Sequence, residues 1–166
     1  MEGPALPKGR ERPLPLHPRY LPDDAWSTKR SVRFSDCDPA GIVYTPRFID
    51  MANGVIEDFF LGQLRIDYHA LIQTDRVGLG YKSVDTDFFK PAFMGDRLSL
   101  TVLIEHIGRT SVIFTIHCVR EIEEIMRCRL VMVTTSLNTN SAINIPPDIK
   151  DALIAYRDNC QRGLRT

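Results

Sequence analysis

Apolar residues recur along this 166-residue chain with two different periods. Between Pro46 and about Gly62, Phe48, Met51, Ala52, Val55, Ile56 and Phe59 follow helical spacing. With Ile49 and Phe60 they cover roughly half of a helical wheel, an arc wide enough that other structure must enclose the helix. Thr45 reads as the N-cap and Pro46 as the first helical residue. At ~1.5 Å per residue the helix is roughly 25 Å long. Beyond it the period falls to two. Leu98, Leu100, Val102 and Ile104 alternate with Ser99, Thr101, Leu103 and Glu105. Val112, Phe114, Ile116 and Cys118 alternate in the same way, which is the signature of strands.

"HIGRTS" joins these two strands at a tight turn near Gly108, and "EIEEI" at 121–125 marks the next turn. Further strands are expected at 28–34, 77–89 and 126–137. Asp67 caps a short helix reaching Gln73. Pro146 and Pro147 open a last helix through Cys160, with Ile149, Ala152, Leu153 and Tyr156 on one face. Strands joined by short connections pair antiparallel. A helix as apolar as the one at 46–62 must lie against the concave face of their sheet, giving an α+β architecture.

Composition divides the chain. Six of the eleven prolines fall within residues 1–24, so residues 1–27 are expected to be a proline-rich extension, extended or disordered. Tyr20, Leu21 and Trp26 are candidates to pin its end. Residues 28–145 form the domain and 146–166 a helix and tail. Lysine plus arginine equals aspartate plus glutamate, 21 each, which gives no reason to expect binding to nucleic acid or to a membrane surface. Cys37, Cys118, Cys128 and Cys160 form no CxxC pair and no zinc-like cluster with histidine, so reduced thiols and no metal site are expected. No apolar run approaches the ~18 residues that span a bilayer, and no apolar leader opens the chain. A cytoplasmic location follows as the expectation.

The candidate chemistry sits in "SDCDPAGIVYTP" at 35–46. Pro39 biases Asp38 towards extended backbone, and Gly41 permits a sharp turn or close approach to a ligand. The loop runs into a helix start, whose first N–H groups are unsatisfied and carry positive partial charge. Pro46 has no N–H, so Thr45 and Arg47 are the candidate donors. A carboxylate beside such a donor would pair an attacking or proton-accepting group with a stabiliser of an oxyanion. The competing reading makes Asp38 an Asx-turn residue that only shapes the loop. Asp36 reads as a structural ligand of turn amides. Cys37 is a poor nucleophile, because its two carboxylate neighbours disfavour a thiolate.

"FSDCDPAGIVYTPRF" at 34–48 resembles the signature loop of the 4-hydroxybenzoyl-CoA thioesterase family of the hotdog superfamily, and "FFKPAFMGD" at 88–96 resembles its second marker. The resemblance covers about residues 28–140. It implies a hotdog fold, a curved antiparallel sheet wrapped around the long helix. It also implies a homodimer with active sites at the interface, often assembled into a homotetramer. The implied activity is hydrolysis of an aryl- or short-chain acyl-CoA, with the coenzyme A thioester as substrate and no cofactor. Asp38 becomes the catalytic carboxylate, either nucleophile or general base, and the Thr45 backbone amide polarises the carbonyl. Gly41 and Tyr44 fall within the substrate-binding loop.

Asn53 stands where the resembling enzyme carries an aspartate that contacts the substrate's phenol, a departure that bears on specificity. Glu57, one turn further, matches the catalytic glutamate of another hotdog branch. Arg109 and Thr110 occupy the turn where the resembling enzyme binds coenzyme A phosphates, with Lys90 and Arg97 as weaker candidates. Phe48, Phe59, Phe88 and Phe89 suggest an apolar acyl pocket. Neither His106 nor His117 has a readable serine or carboxylate partner. The alternatives are a non-catalytic acyl-CoA-binding hotdog module and a hotdog hydratase, which would pair an aspartate with a histidine.

Overall fold

The computed structural model describes residues 13–163. The five expected strands and a short additional one form one antiparallel sheet: β1 (Ser27–Ser31), β2 (Val77–Phe88), β3 (Arg97–Ile107), β4 (Ser111–Arg120), β5 (Glu123–Ser136) and the added β6 (Ser141–Ala142). The order across the sheet is β1-β3-β4-β5-β2, with β6 paired to the end of β5. The first strand stops at Ser31, short of the expected Phe34, because the chain coils into a tight turn at Phe34–Asp36. β5 begins at Glu123, so the "EIEEI" turn shrinks to Glu121 and Ile122; Glu121 takes the left-handed conformation there. β6 had no periodicity to reveal it.

The long helix α1 spans Thr45–Phe59 and buries Phe48, Ala52, Val55, Ile56 and Phe59 against the inner face of the sheet. Phe114, Ile116 and Cys118 of β4 meet it with no exposed surface. The sheet curls around this helix, which is the hotdog arrangement. Two details differ from expectation. Tyr44, not Thr45, is the N-cap, and no side chain caps the helix; Thr45 and Pro46 already lie in its first turn. The helix also ends in a wider turn at Phe60–Leu64 that buries Phe60 and Leu64 and exits through left-handed Arg65.

α2 (Tyr68–Gln73) follows, capped by Asp67, whose carboxylate accepts from the N–H groups of His69 and Ala70 at 3.0 Å each. The last helix, α3 (Pro147–Gly163), lays Ile149, Leu153 and Tyr156 on the core. β1 pairs with β3 only as far as Thr101. Where it ends, Val102 N–H donates to Trp26 C=O and Val102 C=O accepts from the Tyr156 hydroxyl at 2.5 Å. That hydroxyl also accepts from Trp26 N–H at 2.9 Å. Tyr156 thus closes an open sheet edge. Tyr156→Phe strands both groups and is expected to cost about 1–3 kcal/mol in urea denaturation at pH 7.

Residues 1–12 of the proline-rich extension lie outside the described residues. From Pro13 onward the segment crosses the outer face of the sheet. Leu16 N–H donates to Glu124 at 2.5 Å, and Arg127 donates to Leu14 C=O at 3.1 Å. Trp26 packs edge-on against Phe59, with ring centroids 5.7 Å apart. Tyr20, expected to help pin the segment, stands 60 % exposed.

Candidate active site

The loop before α1 is a small hairpin. Cys37 bridges Val43, and Asp38 N–H donates to Ile42 C=O at 2.9 Å. Gly41 N–H returns to Asp38 C=O at 2.9 Å, and Gly41 sits at φ +80°. This is a tight turn closed by a left-handed residue, the position glycine fills without strain. Asp36 has the turn-stabilising role expected of it: its carboxylate accepts from Arg33 N–H at 2.7 Å. Its own C=O accepts Tyr44 N–H at 2.9 Å, which ties the base of the hairpin to the helix entrance. A second turn supports the loop from behind. Val43 N–H donates to Ala92 C=O, and Ile42 bridges Phe93. The "Gly-Asp" of the second marker is the closure of that turn. Gly95 takes φ +92°, and the Asp96 carboxylate accepts Phe93 N–H at 2.9 Å while pairing with Arg120 at 2.6 Å.

Asp38 makes the Asx turn expected of it, its Oδ1 accepting Ala40 N–H at 2.8 Å, and leaves its other carboxylate oxygen free of partners among the described residues. The carboxyl borders a cavity of about 570 Å³ whose walls include Phe34, Cys37, Pro39 and Met94. Phe34 and Met94 are 83 % and 61 % exposed, so an apolar rim surrounds this carboxylate.

At the helix entrance the structure decides between the two candidate donors. Arg47 N–H is taken by Tyr44 C=O at 2.7 Å, and Pro46 has none to give. Thr45 N–H is left without a partner among the described residues. Thr45 borders a second cavity, of about 350 Å³, walled by Phe48, Phe88, Phe89 and Pro91. Phe48 and Phe88 stand with ring centroids 5.4 Å apart. Phe59, expected in an acyl pocket, is instead wholly buried among Trp26, Phe114 and Tyr156. Asp38 and Thr45 therefore border different cavities of the single chain. They are separated by Ile42, Val43 and Tyr44, ~10 Å of extended chain. Tyr44 is half-exposed between them.

The other predicted residues spread along the molecule. Asn53 and Glu57 share one face of α1, and Asn53 Nδ2 donates to Glu57 Oε1 at 3.1 Å. Lys90 is engaged by Glu123, which also holds Arg120 at 2.9 Å, so Lys90 braces the cavity wall. Arg97 is exposed at the start of β3. Arg109 and Thr110 lie in the β3–β4 turn. Thr110 C=O accepts from Thr134, and the Arg109 side chain is exposed with no partner among the described residues. This turn is at the opposite end of β4 from the Asp38 hairpin, ~33 Å away for a ten-residue strand.

One ionic cluster was missed. His117, read from the sequence as lacking a carboxylate, is 6 % exposed with its Nδ1 2.7 Å from Glu124 Oε1. An ionised carboxylate only accepts, so Nδ1 carries the proton. Arg127 donates to the same carboxylate at 2.6 Å. Burial opposes the Glu124 charge, but the bonds from His117, Arg127 and Leu16 N–H prevail and hold its pKa at about 2. The cluster lies on the outer face of the sheet, away from α1.

The sequence pattern of the thioesterase-like superfamily matches residues 32–153. The chain belongs to that superfamily. A 1,4-dihydroxy-2-naphthoyl-CoA hydrolase of Acaryochloris marina is 35% identical over 71 residues, 43% of this chain and 51% of the relative. The chain thus spans about half the length of the curated relatives it matches. The structure of a 1,4-dihydroxy-2-naphthoyl-CoA thioesterase from Synechocystis superposes with a TM-score of 0.72 at 22% identity, covering 78% of this chain and 96% of that one. A gentisyl-coenzyme A thioesterase superposes with a TM-score of 0.71 at 21% identity, over 77% and 99% of the two chains. The two structures speak to the fold. No helix among the described residues is long and apolar enough to cross a membrane.

Proposed function

We propose that this chain is an acyl-CoA thioesterase that hydrolyses an aryl-CoA to the carboxylic acid and coenzyme A. One observation carries the reading. The hairpin holds a carboxylate with an oxygen unpartnered among the described residues, three residues of extended chain from the Thr45 N–H at the entrance of α1, which has no partner among them either. The thioester carbonyl accepts from Thr45 N–H, where the helix end favours the negative charge that develops on oxygen. Asp38 supplies the other part. In one route its oxygen attacks the carbonyl carbon, the C–S bond breaks, the thiolate takes a proton from water, and a second water hydrolyses the mixed anhydride. In the other it takes a proton from the attacking water.

The names of the relatives favour an aromatic acyl group, and two rings over one. The acyl group follows α1 from the phenylalanine-lined cavity towards Asn53. The amide there serves a neutral hydrogen bond where the 4-hydroxybenzoyl enzyme uses a charge. Coenzyme A lies towards the exposed hairpin rim. Arg109 and Thr110 cannot reach it within one chain. We assign them to the ligand of a second copy, paired through the free edge of β2, which makes the working unit a homodimer.

Free-thiol release from 1,4-dihydroxy-2-naphthoyl-, gentisyl-, 4-hydroxybenzoyl-, benzoyl-, butyryl- and acetyl-CoA tests the reading. The aryl thioesters are expected to be cleaved with kcat/KM at least about tenfold above the aliphatic ones. Binding without any thiol release would identify an acyl-CoA-binding module instead.

A further inference from the structure

Arg120 has no part in the chemistry above, but it anchors the turn behind the site. The Asp38 carboxylate and Thr45 N–H are joined by Ile42, Val43 and Tyr44. The turn between β2 and β3 holds that link from behind: Ala92 C=O accepts Val43 N–H at 2.9 Å, and Phe93 bridges Ile42. Backbone bonds tie down both ends of the turn. Phe89 N–H donates to Ile125 C=O, Gly95 N–H to Val32 C=O and Val32 N–H to Asp96 C=O, each at 2.9 Å. Among the described residues, its middle reaches the sheet through one side chain, Arg120 at the end of β4. Arg120 Nη1 donates to the Asp96 carboxylate at 2.6 Å and to Pro91 C=O at 3.3 Å, and Nη2 donates to Glu123 at 2.9 Å. The same Asp96 oxygen accepts Phe93 N–H at 2.9 Å. The Arg120 and Asp96 side chains are 22% and 21% exposed, so solvent screens their pairing less than that of a surface bridge. A planar guanidinium spans a carbonyl and two carboxylates at fixed angles, which an ammonium does not.

We propose that Arg120 is a positioning residue: it fixes the turn at Pro91–Phe93, and through it the Ile42–Val43 link that sets Asp38 against Thr45 N–H. This rests on the thioesterase reading and adds to it the part that keeps the site in register. Arg120 lines neither the cavity beside Asp38 nor the one beside Thr45, so it acts through the turn and not on the substrate. Without the fork, Asp96 still closes its own turn on Phe93 N–H, but nothing ties Pro91 C=O and that carboxylate to β4. Ala92 C=O is then free to drift, and Val43 drifts with it. A misplacement on the order of 1 Å between reacting groups costs up to ~10²-fold in rate. The loss falls on kcat, because the carboxylate and the amide act most strongly on the charge that develops in the transition state.

The test uses Arg120→Met, Arg120→Lys and Asp96→Asn with the best substrate of the acyl-CoA panel, each assayed well below its melting midpoint. Methionine keeps an apolar stem and removes the fork. In Arg120→Met, kcat is expected to fall about 30-fold while KM stays within about threefold of wild type. Arg120→Lys keeps a cation for Asp96 and lies between the two in kcat. Asp96→Asn leaves an oxygen for Phe93 N–H but no charge for Arg120, and adding it to Arg120→Met lowers kcat no further. Hydrogen exchange reads the same brace without any turnover. The Val43 amide exchanges about tenfold faster in Arg120→Met, while the central β4 amides keep their wild-type rates. An unchanged kcat in folded Arg120→Met, a loss carried by KM, additive effects of the two substitutions, or unchanged Val43 exchange would each overturn the proposal while leaving the thioesterase reading intact. If Arg120→Met does not fold, Arg120→Lys and Asp96→Asn decide the matter by the same measurements. Absence of thiol release from the whole panel by the wild-type chain would overturn both.

Discussion

Asp38→Asn is expected to lower kcat for every accepted thioester by about 10²–10⁴-fold, the range of a lost general base or nucleophile. The substitution separates the turn-forming role seen in the structure from the catalytic role proposed for this residue. Asparagine keeps a side-chain oxygen for Ala40 N–H, and it is as well suited to an Asx turn as aspartate. The hairpin, its tie to Tyr44 and the thermal midpoint are therefore expected to survive. What is lost is the charge on the free oxygen, and with it nucleophilicity and basicity. KM should change little, because the apolar cavities and Thr45 N–H are untouched. Steady-state thiol release and a thermal melt on the same preparation check both halves. A folded Asp38→Asn protein that still hydrolyses its thioesters would reduce Asp38 to its turn-forming role and sink the assignment.

The elements with a strong period were legible, and so was their packing. Phe48, Ala52, Val55, Ile56 and Phe59 declare α1 because each turn of the helix repeats the apolar face. What the period cannot tell is which buried ring faces a cavity and which faces the core. Phe48 and Phe59 belong to the same stripe; one lines the cavity beside Thr45 and the other fills the centre. The site loop was legible as a turn feeding a helix. The choice between Thr45 and Arg47 was not, because it depends on Tyr44 C=O reaching Arg47.

Spacing along a chain also says nothing of which end of a strand meets which. Asp38 and Arg109 looked like parts of one site, and the strand order sets them a strand's length apart. The His117–Glu124 pair escaped for a related reason. Glu124 was read as part of a turn, so its side chain had no face. Once β5 is seen to begin at Glu123, histidine and glutamate seven residues apart across a two-residue turn are neighbours on one face.

That pair carries the largest expected effect on stability. Glu124→Gln is expected to cost on the order of 3–5 kcal/mol at pH 7, because it leaves Arg127 and His117 beside a buried site with no charge to meet them. The size should depend on pH in a defined direction. The folded-state pKa of Glu124 is depressed to about 2 from an ordinary 4.5, so the folded protein binds this proton less readily than the unfolded chain does. Its contribution is fully present above the unfolded pKa and is lost as pH falls from about 4.5 through about 2. A shift of this size corresponds to on the order of 3 kcal/mol. Urea denaturation of wild type and Glu124→Gln at pH 7, 5, 4 and 3 reads the difference directly. The gap should hold between pH 7 and 5 and narrow steeply below. A gap that stays constant down to pH 3 would mean that the pair contributes shape rather than charge. Because the same carboxylate accepts Leu16 N–H, the loss should first loosen the N-terminal segment from the outer face of the sheet. Protection of the Leu16 amide from hydrogen exchange is then expected to drop before that of the β4 amides.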